Sequence, residues 1–188
     1  MKYLLDFNFR RGYIVYPSIV VVVGVFDKNL RANFMSCIWN TPLSFDPPLY
    51  GVSISPTRAT YNLILEREEF SICFWPFDKV QDVEFFGTYS YREIDKSKDI
   101  KLIESIKTKT PIPERAYAVL ECSLYDYTTY GDHTLFVGKI LVIHFDENST
   151  YELFNMPVLD LNKKKPVLYL GNGIYLTVDE KTILNLRK

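Results

Sequence analysis

Ile19-Val20-Val21-Val22-Val23-Gly24-Val25-Phe26 decides how this 188-residue chain is read. Val and Ile branch at Cβ, which stiffens χ1 and suits a pleated, packed surface better than a helix. The run is bounded by Pro17 and by the turn-forming Asp27-Lys28-Asn29. An apolar stretch of this kind, with no polar alternation, is expected of a strand covered on both faces.

Further strand signals follow on the C-terminal side. Pro47-Pro48 introduces Leu49 to Ile54, and Glu69 to Phe74 is short, apolar and partly aromatic. Ala118 to Leu124 alternates, with Ala118, Leu120, Cys122 and Leu124 on one face and Val119, Glu121 and Ser123 on the other. Thr134 to Phe145 is a longer strand, apolar on both faces. Val167 to Leu170 and Ile174 to Val178 flank Gly171-Asn172-Gly173, residues that tolerate positive φ, so a hairpin is expected. Helices are fewer. Ser55 as N-cap with Pro56 at the first helical position predicts a helix to about Glu66, and a second is expected between Ile100 and Lys107, ahead of Pro111 and Pro113. The sum is a mainly β chain, a small antiparallel barrel with a few flanking helices outside it. Periodicity does not give the strand order.

Composition narrows the function classes. No linker or composition shift divides the chain, so one domain over residues 1–188 is expected. Lys and Arg number 22 against 23 Asp and Glu, which leaves no basic stripe for nucleic acid. The N-terminus lacks the segmentation of a signal peptide, and the longest apolar run is far short of the ~20 residues of a membrane helix, so a cytoplasmic protein with no membrane association is expected. Cys37, Cys73 and Cys122 are widely spaced and are expected as reduced thiols. His133 and His144 have no partner at ligand spacing, so no metal is expected, and His144 is expected at an interface or in solvent, without a role. There is neither a Gly-x-Ser-x-Gly elbow nor a Gly-x-Gly-x-x-Gly phosphate loop.

Three segments carry candidate chemistry. The helix start at Ser55, with Thr57, Arg58 and Thr60, combines unpaired backbone N–H groups with a guanidinium and two hydroxyls, an anion site in type; the same residues also make an ordinary cap beside a surface arginine, and such caps are routine. Asn33-Phe34-Met35-Ser36-Cys37-Ile38-Trp39-Asn40 sets small polar groups in an apolar strand, where they can meet a flat heteroaromatic ring or simply pack inside. Gly131-Asp132-His133-Thr134 puts an imidazole where the chain enters its longest strand, at a pocket mouth or on the surface.

Taken together with Ser44-Phe45-Asp46-Pro47-Pro48-Leu49, the stretch Ser53 to Ile64, the Asp95-Lys96 pair and the continuation to Gly138, these segments resemble the flavin reductase-like FMN-binding split barrel family, which includes flavoredoxins and archaeal ferric reductases. The resemblance covers roughly residues 15 to 178 and implies an antiparallel Greek-key split β-barrel. It implies FMN as cofactor, with Met35, Ser36 and Cys37 at the ring and the turn holding Ser53, Ser55, Thr57, Arg58, Thr60 and Tyr61 at the ribityl phosphate. Lys96 corresponds to a lysine beside the flavin, Asp132 and His133 to the strand start near flavin and nicotinamide, with His133 the catalytic candidate, and Tyr169 to an aromatic near the cofactor. Tyr91 departs from the pattern, standing where relatives often have Gly.

The implied activity is NAD(P)H-dependent flavin reduction, with NADH or NADPH as transient donor and free flavin, ferric iron or another small-molecule or protein electron acceptor. The implied assembly is a homodimer with FMN near the subunit interface. Two alternatives keep the fold: a flavoredoxin-like electron carrier with poor direct nicotinamide reactivity, and a cofactor-free dimeric binding module.

Overall fold

The computed structural model describes residues 13–184 and 186. In chain order it contains β1 (Ser18–Ile19), β2 (Val21–Phe26), β3 (Ala32–Cys37), β4 (Asn40–Phe45), β5 (Pro48–Ile54), α1 (Ala59–Arg67), β6 (Glu69–Phe74), α2 (Val80–Thr88), β7 (Leu102–Ile103) and β8 (Ile112–Pro113). Then follow β9 (Ala118–Tyr130), β10 (His133–Phe145), β11 (Thr150–Leu153), β12 (Met156–Leu159), β13 (Leu168–Gly171) and β14 (Ile174–Leu176).

Seven of these strands form one antiparallel sheet in the order β3-β2-β6-β9-β10-β5-β4. Its two edge strands are consecutive in sequence, and the link between them is bonded back to the sheet, since the Ser53 amide donates to the Trp39 carbonyl at 2.8 Å. The sheet therefore curls until its ends meet, which is the split-barrel arrangement that the family resemblance implied.

Both faces of β2 are covered, as expected. Val21, Val23 and Val25 join the barrel interior with Met35, Val52, Phe70, Leu120 and Phe136, together with Leu63 and Ile64 of α1. Val20 and Val22 lie in a second cluster with Phe34, Trp75, and Val83 and Phe86 of α2. Each fully buried side chain of this kind contributes about 1.5–3 kcal/mol. Gly24 interrupts the valines because a Cβ there would stand 2.4 Å from Ser71 Oγ. The C-terminal hairpin is also present, with Asn172 and Gly173 at positive φ between β13 and β14.

Several expectations are corrected. The first helix begins at Ala59, with Arg58 as its N-cap, and Ser55 instead opens a turn closed by the Arg58 amide on the Ser55 carbonyl at 3.0 Å. Pro56 suits the second position of such a turn as well as it suits a first helical turn. No helix forms between Ile100 and Lys107. Leu102–Ile103 pairs with Ile112–Pro113 instead, and the amides of Ile106, Lys107 and Thr108 bond to the Glu121 carboxylate rather than to carbonyls four residues back. Glu121 is fully buried, and His144 is neither free nor solvent-facing: its Nε2 lies 2.5 Å from Glu121 Oε1. Helix α2 was not foreseen. Among the described residues no helix is long and apolar enough to cross a membrane.

Candidate functional site

At one end of the barrel the C-terminal ends of β3 and β5 meet the turn leading into α1, the start of β10, and β13. They enclose an open cavity of about 760 Å³. Met35, Ser36 and Cys37 line it from β3, and Ser53, Ser55, Thr57 and Arg58 from β5 and its turn. Asp132, His133 and Tyr169 complete the expected set, joined by Tyr16 and Trp39.

The turn before α1 is itself ordered by short polar contacts, Ser55 Oγ lying 3.0 Å from Thr57 Oγ1. It delivers the chain to a helix whose N-cap, Arg58, makes no side-chain cap. The opening turn of such a helix offers backbone N–H groups and partial positive charge to an anion. The helix start expected at Ser55 thus lies three residues on, with Ser55, Thr57 and Arg58 all on the cavity lining.

A smaller recess of about 170 Å³ adjoins the cavity, sharing Met35, Thr57 and Arg58 and adding Asn33, Thr60 and Lys96. Lys96 is buried and donates from Nζ to the Phe34 and Phe86 carbonyls at 2.9 and 2.8 Å. Burial, and then repulsion from Arg58, lowers its pKa to about 8. Asn33, 1% exposed, donates from Nδ2 to Thr60 Oγ1 at 2.8 Å, yet its Oδ1 meets no donor among the described residues. An acceptor stranded in this way costs about 1–3 kcal/mol, which a ligand hydroxyl would recover. Cations, a helix start and an orphaned acceptor for a hydroxyl suit the ribityl phosphate chain of FMN.

At the start of β10, His133 Nδ1 lies 2.7 Å from Asp132 Oδ1, so Nε2 is the ring's remaining hydrogen-bonding atom. The imidazole and the Trp39 indole have centroids 4.5 Å apart at 51°. Cys37 contributes no nucleophile. Its buried thiol is directed at the Trp39 and Ser53 carbonyls, and burial pushes its pKa up to about 12. Ser36 commits its hydroxyl to the Val83 carbonyl at 2.5 Å, leaving main chain and Cβ to face the cavity. The Tyr169 hydroxyl accepts from the Gly173 amide at 3.1 Å, which fixes the hairpin's aromatic at the rim.

One expected residue lies elsewhere. Tyr61 packs edge-on against Phe136 with centroids 5.2 Å apart, inside the barrel. Asn33, Trp39 and Tyr16 escaped selection on sequence, although an amide set in an apolar strand was the available signal for Asn33. Tyr16 carries no local signal, because the fold alone brings it to the cavity.

Fold and cavity define an antiparallel split barrel with a polar, cation-flanked cleft at one end. The chain belongs to the family described as flavin reductase like domain, whose pattern matches residues 11–173. It is 41% identical over 141 residues to an uncharacterized protein of Pyrococcus abyssi, covering 73% of this chain and 80% of that one. Among solved structures it resembles an FMN-binding protein from Thermus thermophilus with bound p-hydroxybenzaldehyde, at 36% identity and TM-score 0.84 over 98% of this chain and 99% of that one. Flavoredoxin of Desulfovibrio vulgaris (Miyazaki F) shares the fold at 24% identity and TM-score 0.84, over 99% of this chain and 97% of that one.

Proposed function

We propose that this protein is an FMN-dependent flavin reductase that takes electrons from NADH or NADPH and passes them to free flavin, ferric iron or another acceptor. The observation that carries the reading is the recess beside the cavity. There Arg58, Lys96 and the start of α1 gather positive charge, next to a buried Asn33 oxygen that lacks a donor. Bound FMN would supply the redox centre between donor and acceptor.

The chain's own residues bind and orient. Arg58 and the first turn of α1 hold the phosphate, and Asn33 accepts from a ribityl hydroxyl. Main-chain and small groups of Met35, Ser36 and Cys37 border the ring. Lys96 is a fixed cation nearby that favours negative charge on a reduced ligand. His133, turned by Asp132 and flanked by Trp39, orients the nicotinamide amide through Nε2. A homodimer in the cytoplasm, with the site near the subunit interface, completes the proposal.

The test is the visible spectrum of the purified protein before and after anaerobic addition of NADH and then NADPH. A yellow protein bleached rapidly by one of them is expected. A yellow protein that neither bleaches would be a carrier instead, and a colourless one that takes up no added FMN would overturn the reading.

A further inference from the structure

Part of the small recess is lined by side chains that the proposed chemistry does not use. Tyr91, 8% exposed, lines it beside Tyr89 and Ser90. Its hydroxyl donates to Asp27 Oδ2 and accepts from Arg31 Nε at 3.0 Å. The Arg31 guanidinium carbon also stands 3.9 Å from the centroid of the Tyr91 ring. Asp27 is held in turn by the tight connection between β2 and β3, where its Oδ1 accepts from the amides of Asn29 and Arg31 at 2.8 Å each.

The rest of the segment is anchored as well. Arg92 Nη1 donates to the Thr57 carbonyl at 3.4 Å, reaching the turn before α1, and Lys96 ties the far end to the Phe34 and Phe86 carbonyls. Residues 89–96 thus form a bar from the α1 turn to the β2–β3 turn, with Tyr91 pinned by a charge-assisted hydrogen bond and a cation–π contact. To swing aside, the ring must lose both.

The two common flavin cofactors differ at the phosphate. FMN ends there, whereas FAD continues through a second phosphate to adenosine. A cleft open beyond the phosphate admits both, and one that ends at a fixed wall admits the shorter. The recess is the smaller space, about 170 Å³ beside the 760 Å³ of the main cavity, and the anchored Tyr91 ring is part of its wall. We propose that Tyr91, held by Asp27 and Arg31, is the specificity-determining residue that confines this site to the flavin mononucleotide and rejects FAD, given the flavin reading above in which the recess takes the phosphate end.

The experiment is an equilibrium titration of the full-length protein, freed of flavin, with FMN and with FAD, followed by quenching of flavin fluorescence. The wild type is expected to bind FMN at least ~100-fold more tightly than FAD. Tyr91→Gly should cut that preference by about tenfold or more, chiefly through tighter FAD binding, with FMN affinity held within about threefold. Tyr91→Phe, which keeps the ring, should retain most of the preference. Tyr91→Leu, which fills the core but drops both anchors and shortens the wall, carries the test should the glycine variant not fold. An unchanged FMN-to-FAD ratio in the folded Gly or Leu variant would overturn the assignment, as would a wild type that binds both equally. A wild type that binds neither flavin would instead remove the flavin reading itself.

Discussion

Lys96 is a buried ammonium whose two carbonyl partners leave it short of negative charge. Its pKa is lowered from 10.5 to about 8 by burial and by Arg58. A phosphate arriving beside it acts in the opposite sense and restores the charged form. At about pH 9 the free protein holds this lysine largely neutral, so FMN binding should take up a proton, whereas at about pH 7 the group is charged in both states and should take up little. Calorimetric titrations in two buffers of different ionisation enthalpy read the difference, and equal uptake at both pH values would refute a phosphate at this place. Arg58→Ala removes a charge-assisted contact and should weaken FMN binding by about 1.5–3 kcal/mol, seen as a roughly ten- to hundredfold rise in Kd. His133→Ala should behave differently, slowing nicotinamide oxidation while leaving the FMN Kd within a few-fold; a matching loss of affinity would place the imidazole on the flavin instead. At this scale much was legible, because residues such as Arg58 and His133 announce their chemistry by type. Asn33 did not, since what marks it is an oxygen without a donor, and partners exist only once the chain is folded.

Among the elements, Glu121 shows where local pattern misleads. Strand alternation sets it opposite the Leu120 and Cys122 face, which in an open sheet would mean solvent, but the loop after β7 covers it. The carboxylate accepts from the amides of Ile106, Lys107 and Thr108 at 2.7, 2.9 and 2.9 Å, and from the Thr108 hydroxyl at 2.9 Å. Burial raises its pKa, but these donors and His144 outweigh it and bring it from 4.5 down to about 2. A carboxyl depressed by folding stabilises fully above its unfolded pKa and loses that contribution as pH falls through its folded one. Some 3 kcal/mol, on the order of what such a shift implies, should therefore drain away between about pH 4.5 and pH 2. Chemical denaturation along this pH range should show it, and Glu121→Gln should be less stable near neutrality by about 2 kcal/mol with a flatter acid profile. An identical acid profile in the variant would mean that other carboxylates carry the effect. The same clamp explains the helix that does not form at Ile100 to Lys107, whose amides are drawn to a side chain far along the sequence. Helix α2 was hidden for the converse reason: Val80-Gln81-Asp82-Val83-Glu84-Phe85-Phe86-Gly87-Thr88 has weak intrinsic propensity, and tertiary burial of Val83 and Phe86 against Phe34 and Trp75 makes it a helix.

For the whole molecule, strand identity came from runs of residues, while the order β3-β2-β6-β9-β10-β5-β4 depends on pairings between distant segments that no local period encodes. The same order leaves a surface to be accounted for. β10 pairs with β5 only from Thr134 to Lys139, so among the described residues its last part presents an open edge toward the β5 side. Along that part Leu141, Ile143 and Phe145 share one exposed face, 41%, 56% and 44% accessible, while His144 between them turns inward to Glu121. On β4, Phe45 is fully exposed and Leu43 nearly half. Exposed apolar side chains beside an unpaired strand edge invite a partner of the same kind. A second copy of this chain would satisfy them reciprocally across a two-fold axis. Sedimentation equilibrium at micromolar concentration should therefore give twice the 22.0 kDa chain mass, and Leu141→Glu with Ile143→Glu should reduce it to one chain, since like charges would then face each other across the interface. If the flavin site lies near that interface, the charged variant should also hold FMN more weakly even though none of its substitutions lines the cavity. A wild type that sediments as a single chain would show that these strands face solvent, and a monomeric variant with undiminished FMN affinity would show that each barrel holds its cofactor alone.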